Sequence, residues 1–233
     1  MLIDLHAHSK AISRCSRITG KDNIDLSLEK GMDGFVITNH YDKNYVVNND
    51  YLDLVNRYIN EYYDLKEYGE KVGFKVFFGI EVTLNKHNDA HILIYGVEPL
   101  FLLDNPCLYD YTQEELYKLV KENGGIVIYP HPFRDLNKKL DLKYVDGIEV
   151  NCHPLYGNTY SNEVINIAKQ NGLLITCGGD YHHDTYRPKC GVYLPNDIKS
   201  NLDLKDYLVN SNEIKLCIQE VNCYEDDYLF IKR

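Results

Sequence analysis

Residues 2–9 read Leu-Ile-Asp-Leu-His-Ala-His-Ser, a short apolar segment that ends in two histidines one residue apart. Side chains two positions apart on a β-strand point to the same face, so His6 and His8 can face one ion. This stretch therefore predicts a strand whose C-terminal end carries metal-binding imidazoles.

Similar apolar segments recur along the chain and alternate with helical patterns. Seven strands are predicted, at residues 2–5, 34–38, 76–82, 91–95, 126–129, 147–150 and 173–177. Helices are predicted at residues 24–30, 51–71, 112–123 and 162–170, several followed by a glycine that favours a helix stop. The alternation favours a parallel α/β sheet closed into a barrel. No linker or composition break divides residues 1–233, which indicates one domain.

Metal-ligating residue types lie at the ends of nearly all of these strands. They include six of the nine histidines and two acids: His6, His8, His40, His91, His131, His182, Glu81 and Asp180. Each alone could be a core or turn residue, but the joint coincidence favours a cluster, because barrel strands end at one face. Imidazoles with carboxylates are typical ligands of zinc, manganese or iron.

Composition excludes several other classes of protein. The 233 residues carry a formal charge of -10, which disfavours broad binding to a nucleic-acid backbone. No apolar run approaches the roughly 20 residues that a membrane span needs, and the start lacks an export signal, so a cytoplasmic protein is expected. Seven cysteines without a CxxC pair suit reduced thiols.

Seven ordered motifs carry a family resemblance: Asp-Leu-His-Ala-His-Ser at 4–9, Ile-Thr-Asn-His at 37–40, Gly-Ile-Glu at 79–81, His-Ile-Leu at 91–93, His-Pro-Phe-Arg at 131–134, Gly-Ile-Glu-Val at 147–150 and Gly-Asp-Tyr-His at 179–182. In these motifs the chain resembles the PHP domain, named for the polymerase and histidinol phosphatase families. The resemblance implies a distorted seven-stranded (β/α)7 TIM-like barrel with two or three divalent metal ions.

The resemblance also implies which residues hold each ion. A first ion would take His6, His8, Glu81 and Asp180; a second, Glu81, His91 and His131; a third, His40 and His182. The chain departs from the family in two places. Ser13, Arg14 and Cys15 stand where a further third-site ligand is usual, which leaves Cys15 as a possible soft ligand. Asn39 replaces a usual aspartate and is expected to orient His40 less strongly.

The expected activity is hydrolysis of a small phosphate monoester, of a sugar, an amino-alcohol or a nucleotide, by a hydroxide that bridges two metal ions. Asp180 would serve in the metal centre, and either His182 or His153 would protonate the leaving oxygen. Four cations lie close to proposed ligands in the sequence and are candidate phosphate contacts: Lys10, Arg14, Arg134 and Arg187.

Three other functions stay open. One is a 5'-3' exonuclease or a nucleotide bisphosphate phosphatase, disfavoured because only 40 positions separate His91 from His131 and the chain is acidic. Another is hydrolysis of a C–N or lactone bond at the same centre. The third is an inactive metal-binding scaffold or partner protein. The sequence leaves the oligomeric state open.

Overall fold

The architecture is taken from a computed structural model that describes residues 1–136, 138–155, 158–183 and 186–219, together with the backbone of residues 227–232. Strands and helices alternate through much of this length, in the following order: β1 (Leu2–Ala7), α1 (Gly20–Glu29), β2 (Gly34–Ile37), β3 (His40–Tyr41), α2 (Tyr51–Val72), β4 (Lys75–Leu84), β5 (Ala90–Tyr95), α3 (Phe101–Asp104), α4 (Gln113–Glu122), β6 (Ile126–Tyr129), β7 (Gly147–Asn151), α5 (Ser161–Asn171), β8 (Leu174–Gly178), β9 (Gly191–Tyr193), α6 (Asn201–Asn210), β10 (Glu213–Ile218) and β11 (Asp227–Lys232).

All seven predicted strands are present, as β1, β2 and β4 to β8, and they are consecutive in one sheet. The expected strand count of seven is wrong, because the described sheet has eleven strands. β3 pairs with β4, while β9, β10 and β11 extend the sheet beyond β1. β3 has two residues and β9 has three, too few for an alternating pattern to show in the sequence.

The sheet is mixed rather than wholly parallel. β5 runs antiparallel to both β4 and β6, and β4 joins it through a tight turn in which Asn88 and Asp89 adopt positive φ. Reversal of β5 brings its first residues to the end of the sheet where β4 finishes, so His91 pairs with Thr83. This explains how a histidine at the start of a strand joins donors at the ends of others.

The sheet curls until it is nearly closed between β1 and the end of β8. The Asp180 N–H donates to the His6 carbonyl over 2.7 Å, and Ala7 forms an isolated parallel bridge with Tyr181. Across the interior the Tyr95 hydroxyl donates to the Leu5 carbonyl over 2.7 Å. α2, α4 and α5 pack outside, against β4, β6 and β7. The result is a barrel-like α/β fold with a continuous apolar core.

The predicted helices are confirmed as α1, α2, α4 and α5, while α3 and α6 were not predicted. Gly73 and Gly172 end α2 and α5 in the left-handed region, with φ of 77° and 65°. Thr112 and Ser200 begin α4 and α6 with capping boxes. Within the described residues, every helix is too short or too polar to span a bilayer.

Candidate metal centre

Two strands place three of the predicted ligands in the interior of the fold. His6 projects from β1, His8 follows the last residue of β1 and Glu81 projects from β4, and all three side chains are completely buried. The loop after β8 adds Asp180, whose Oδ1 lies 3.3 Å from His6 Nε2 and 3.0 Å from His8 Nε2. One ligand atom from each of these four residues lies within 4.8 Å of the others. The structure therefore brings together the four residues expected around a first ion.

Several atoms of this group are buried without a hydrogen-bond partner, among them His6 Nε2, His8 Nε2, His40 Nδ1, Glu81 Oε2 and Asp180 Oδ1. A buried polar atom left unsatisfied costs about 1–3 kcal/mol, so five in one place need a common explanation. Imidazole nitrogens and carboxylate oxygens aimed at one another are the donor set of zinc, manganese or iron. The residues fit a divalent cation.

The two carboxylate oxygens of Glu81 face different groups of histidines. Oε1 lies 2.9 Å from His91 Nδ1 and 3.0 Å from His131 Nε2. Oε2 lies 2.8 Å from His40 Nδ1, and 3.4 and 3.3 Å from Nε2 of His6 and His8. A carboxylate with one oxygen toward each group can be shared by two ions.

His40 and His182 also meet, but in more than one grouping. Ligand atoms of His8, His40 and His182 lie within 4.8 Å of one another, and so do those of His40, Glu81 and His91. His182 donates from Nδ1 to the Asp180 carbonyl over 2.7 Å when that nitrogen carries the proton. The structure thus places His40 beside both Glu81 and His182, whereas the sequence analysis paired it with His182 alone.

Cys15 lies beside His40 and His182. Burial raises the pKa of its thiol, but hydrogen bonds from His182 and His40 and the charges of these imidazoles lower the pKa to about 6. A thiol that ionises near neutral pH is suited to bind a metal. This placement keeps Cys15 as the candidate extra ligand.

Glu149 is the functional residue to which the sequence analysis gave no role. Its Oε1 accepts from His6 Nδ1 at 2.8 Å, and its Oε2 accepts from the His131 N–H at 3.0 Å and from Asn151 Nδ2 at 2.9 Å. A carboxylate on Nδ1 fixes the imidazole tautomer and leaves the Nε2 lone pair for an ion. The signal was its position at the end of β7 within Gly-Ile-Glu-Val.

Ser13 and Asn39 orient His8 in a similar way. The Ser13 hydroxyl donates to Asn39 Oδ1 over 2.9 Å, which makes Ser13 Oγ the acceptor for His8 Nδ1 at 3.0 Å. Ser13 Oγ also accepts the His40 N–H over 3.0 Å. The expectation that Asn39 orients the His40 ring is therefore corrected: the chain of hydrogen bonds from Asn39 ends on the His8 ring and reaches only the backbone of His40.

Burial and neighbouring charges shift the pKa values of this group in both directions. Burial raises the pKa of Asp180, but Arg134, His6 and His182 outweigh burial and hold that pKa well below its usual value. Burial likewise opposes ionisation of Glu81, yet its histidine neighbours lower its pKa. Burial and Arg134 lower the pKa of His131 to about 3. Burial lowers the pKa values of His6 and His40, but neighbouring carboxylates outweigh burial and raise them, that of His40 to about 10, so these two imidazoles would have to lose a proton to ligate a metal.

Two candidate ligand residues have backbones in the left-handed region, which glycine adopts more readily than residues with a side chain. His131 has φ of 33° and Asp180 has φ of 47°. Such conformations cost on the order of 1–3 kcal/mol and are concentrated at functional sites. Hydrogen bonds from the His131 N–H to Glu149 and from the Asp180 N–H to His6 hold both residues in place.

The four predicted phosphate contacts fall in different places. Arg134 reaches the centre, where its Nη2 donates to Asp180 Oδ2 and, over 3.0 Å, to Asn151 Oδ1. Arg14 is exposed and lies over the Tyr45 ring at 4.9 Å. Lys10 lines a surface cavity with Lys21 and Glu61.

The prediction that Arg187 contacts a phosphate is wrong, because its side chain has no exposed surface. It donates to Asp4 Oδ2 over 2.6 Å and to Ser27 Oγ over 3.2 Å. Both partners are themselves buried. An arginine used in this way ties β1 to the loop after β8 and is not placed to touch a substrate.

Comparisons with known proteins agree with this picture, although no family model matches the chain. The chain is 25% identical over 182 residues to a "Probable histidinol-phosphatase" of Clostridium acetobutylicum, covering 72% of this chain and 68% of that protein.

Among solved structures, a two-domain protein from Bacteroides vulgatus containing a "predicted PHP-like metal-dependent phosphoesterase" aligns over 93% of this chain, with a TM-score of 0.59 and 17% identity. This chain spans only 58% of that protein. An amidohydrolase from Chromobacterium violaceum, solved with sulfate and no metal, aligns over 89% of this chain and 97% of its own, with a TM-score of 0.55 and 14% identity. The fold is that of PHP-like phosphoesterases. The resemblance inferred from the sequence is confirmed at the level of the fold, and the chain is similar to proteins named as a probable histidinol-phosphatase and as a PHP-like metal-dependent phosphoesterase.

Proposed function

We propose that this chain is a PHP-type phosphoric ester hydrolase that uses two or three divalent ions, zinc, manganese or iron, to hydrolyse a phosphate monoester of a small molecule. A sugar, an amino-alcohol or a nucleotide phosphate is the substrate class. The observation that carries the proposal is the convergence of five buried ligand atoms, on His6, His8, His40, Glu81 and Asp180, that have no hydrogen-bond partner. The proposal takes residues 1–233 as a single domain, since one sheet runs from β1 to β11.

The distances around Glu81 support two ligand sets. His6, His8, Glu81 and Asp180 would hold one ion, and Glu81, His91 and His131 would hold a second. His40 and His182, with Cys15, would hold a third. Ions held in this way supply positive charge to phosphoryl oxygens and make water a stronger nucleophile at neutral pH.

Arg134 supplies the fixed positive charge that a phosphate needs beside these ligands. Its guanidinium donates to Asp180 and Asn151, and its side chain is 20% exposed and lines the two cavities beside His131. A planar guanidinium can bind two phosphoryl oxygens at once. Arg134 therefore orients the phosphate and stabilises charge that develops on it.

His153 is positioned to donate a hydrogen bond to the leaving oxygen. Its Nδ1 accepts the Leu155 N–H over 3.1 Å, so the neutral ring carries its proton on Nε2. Burial lowers the pKa of His153 to about 4, with Arg134 and His182 adding to the effect, so the ring is neutral at pH 7. Because this neutral ring has no acidic proton to give at pH 7, we assign to His153 only a hydrogen bond to the leaving oxygen, which would take its proton from water, and we leave His182 among the metal ligands.

The test is a phosphate-release screen on protein loaded separately with zinc, manganese and ferrous iron. Sugar, amino-alcohol and nucleotide monoesters are compared with short single-stranded oligonucleotides, and Asp180→Ala is the control variant. Release from monoesters by the parent chain but not by the variant is expected. Turnover of oligonucleotides alone would establish the exonuclease function instead, and metal binding without any turnover would indicate a binding protein.

A further inference from the structure

The candidate third site has a different ligand chemistry from the other two. Ligand atoms of His8, His40 and His182 lie within 4.8 Å of one another, and the Cys15 side chain forms hydrogen bonds with the last two. We propose that Cys15 makes this site selective for thiophilic ions, so that it binds zinc in preference to manganese, and that Tyr45 holds the Cys15 sulfur in place. This inference rests on the proposed function, in which the chain binds three ions.

The ligand types differ between the sites in the way that metal selectivity requires. The first group contains two carboxylates, of Glu81 and Asp180, and Glu81 also faces the histidines of the second. Carboxylate oxygens suit manganese as well as zinc, whereas a thiolate favours zinc over manganese because it is a soft ligand. One sulfur added to a group of imidazoles therefore gives the third site a preference that the other two lack.

The third group lies nearer the surface than the first. Cys15 is exposed, and His40 and His182 keep a little exposed surface, whereas His6 and His8 are completely buried. His182 uses Nδ1 for the carbonyl that follows it in the hydrogen-bond list of the site, that of the residue two positions earlier, so its Nε2 lone pair is available to an ion. An ion can thus enter and leave the third site without displacing those of the interior.

Tyr45 fixes the position of the Cys15 sulfur. Its hydroxyl accepts the Arg14 N–H over 3.3 Å and donates its own proton to the Cys15 side chain. The Arg14 guanidinium lies 4.9 Å from the centroid of the Tyr45 ring, which holds the ring in place. Outer partners of this kind orient a ligand for its ion. Tyr45 is therefore a positioning residue, because it acts through Cys15.

The first experiment detects sulfur ligation directly, with cobalt in place of zinc. A thiolate bound to cobalt gives a charge-transfer absorption in the near ultraviolet, which imidazole and carboxylate ligands do not give. We expect this band when the metal-free parent chain is titrated with cobalt, and we expect Cys15→Ser to abolish it. Cys107→Ser is the matched control and should keep the band, since the Cys107 sulfur accepts a hydrogen bond from Tyr109 and lies outside the metal groups.

The second experiment measures selectivity by counting ions after gel filtration. We expect the parent chain to retain about three zinc ions but only about two manganese ions, because the sulfur disfavours manganese. Cys15→Asp should retain a third manganese ion, since it replaces the sulfur with a carboxylate. Tyr45→Phe keeps the ring beside Arg14 and should weaken the third zinc ion by about tenfold in competition with a chelator.

The outcomes separate this inference from the proposed function. Absence of the cobalt band from the parent chain, or equal numbers of zinc and manganese ions, would overturn the inference even if the chain releases phosphate from monoesters. Unchanged zinc affinity in Tyr45→Phe would overturn the role of Tyr45. A chain that shows the band and the selectivity but hydrolyses no phosphate ester would instead overturn the proposed function.

Discussion

The metal centre has two sides that are built differently. On the strand side, His6 and Glu81 project from β1 and β4, whose backbones are fixed by sheet hydrogen bonds, and His8 directly follows β1. On the loop side, His131 and Asp180 follow β6 and β8 with backbones in the left-handed region. The strand side would fix where the proposed ions bind, whereas the loop side depends on hydrogen bonds from other residues. Substitutions on the two sides should therefore differ in the size of their effects and in whether they change metal binding or stability.

The largest effect is expected from Glu81→Gln on the strand side. Glu81 faces both groups of histidines, so loss of its charge should weaken both sites and reduce phosphate release by at least about a thousandfold, since each ion contributes several kcal/mol of charge stabilisation. Calorimetric titration with zinc measures the binding loss directly. Glu67→Gln, an exposed carboxylate on α2, is the matched control and should behave as the parent chain. Unchanged zinc binding in Glu81→Gln would contradict the proposal that two ions share the Glu81 carboxylate.

Arg187→Met tests the link between the two sides. Removing one partner of a buried ion pair typically costs about 3–5 kcal/mol, because Asp4 would remain buried without its cationic partner. We expect a large fall in the free energy of unfolding, measured with urea, and little change in KM for any substrate that the folded fraction still turns over. A raised KM in a variant of unaltered stability would restore Arg187 as a substrate contact.

Glu149→Gln should act on both sides at a smaller scale. The amide can still accept from one neighbour, but it no longer stabilises the required tautomer of His6 with a charge. Loss of an outer partner of a ligating histidine typically weakens metal affinity by about 10–100-fold. Competition with a zinc chelator measures this, and Glu163→Gln on α5 serves as the control. An affinity equal to that of the parent chain would show that Glu149 orients no ligand.

Ser13→Ala is expected to have the smallest effect, confined to the strand side. It removes the hydrogen bond to His8 Nδ1 but leaves the ring packed in the interior, so an affinity loss of about tenfold is expected. Ser13→Thr keeps the hydroxyl and should recover much of the affinity. If the alanine and threonine variants bind zinc equally well, the hydroxyl has no part in orienting His8.

Much of the strand side could be predicted from the sequence. The period of two in His-Ala-His and the apolar runs before His40 and Glu81 are local signals. On a β-strand, the spacing of two residues in the sequence fixes whether their side chains point to the same face. The reversal of β5 is also a local feature, marked by Asn88 and Asp89. The expectation of a parallel sheet is nevertheless wrong at β5. The alternation of strands and helices favours parallel pairing more strongly than Asn88 and Asp89 favour a reversal.

The loop side was less accessible to sequence analysis. That Arg187 pairs with Asp4 depends on contacts between residues 183 positions apart, which no local pattern reports. The roles of Glu149 and Ser13 likewise depend on which ring nitrogen of His6 or His8 points away from the other candidate ligands, and the sequence does not show this.

The central claim is that the dispersed imidazoles and carboxylates bind paired ions, and counting those ions tests it most directly. Protein purified without added metal, reconstituted with zinc or manganese and freed of excess ion by gel filtration, is analysed for metal per chain by mass spectrometry. The account predicts two or more ions per chain. Fewer than one ion per chain with either metal would contradict it.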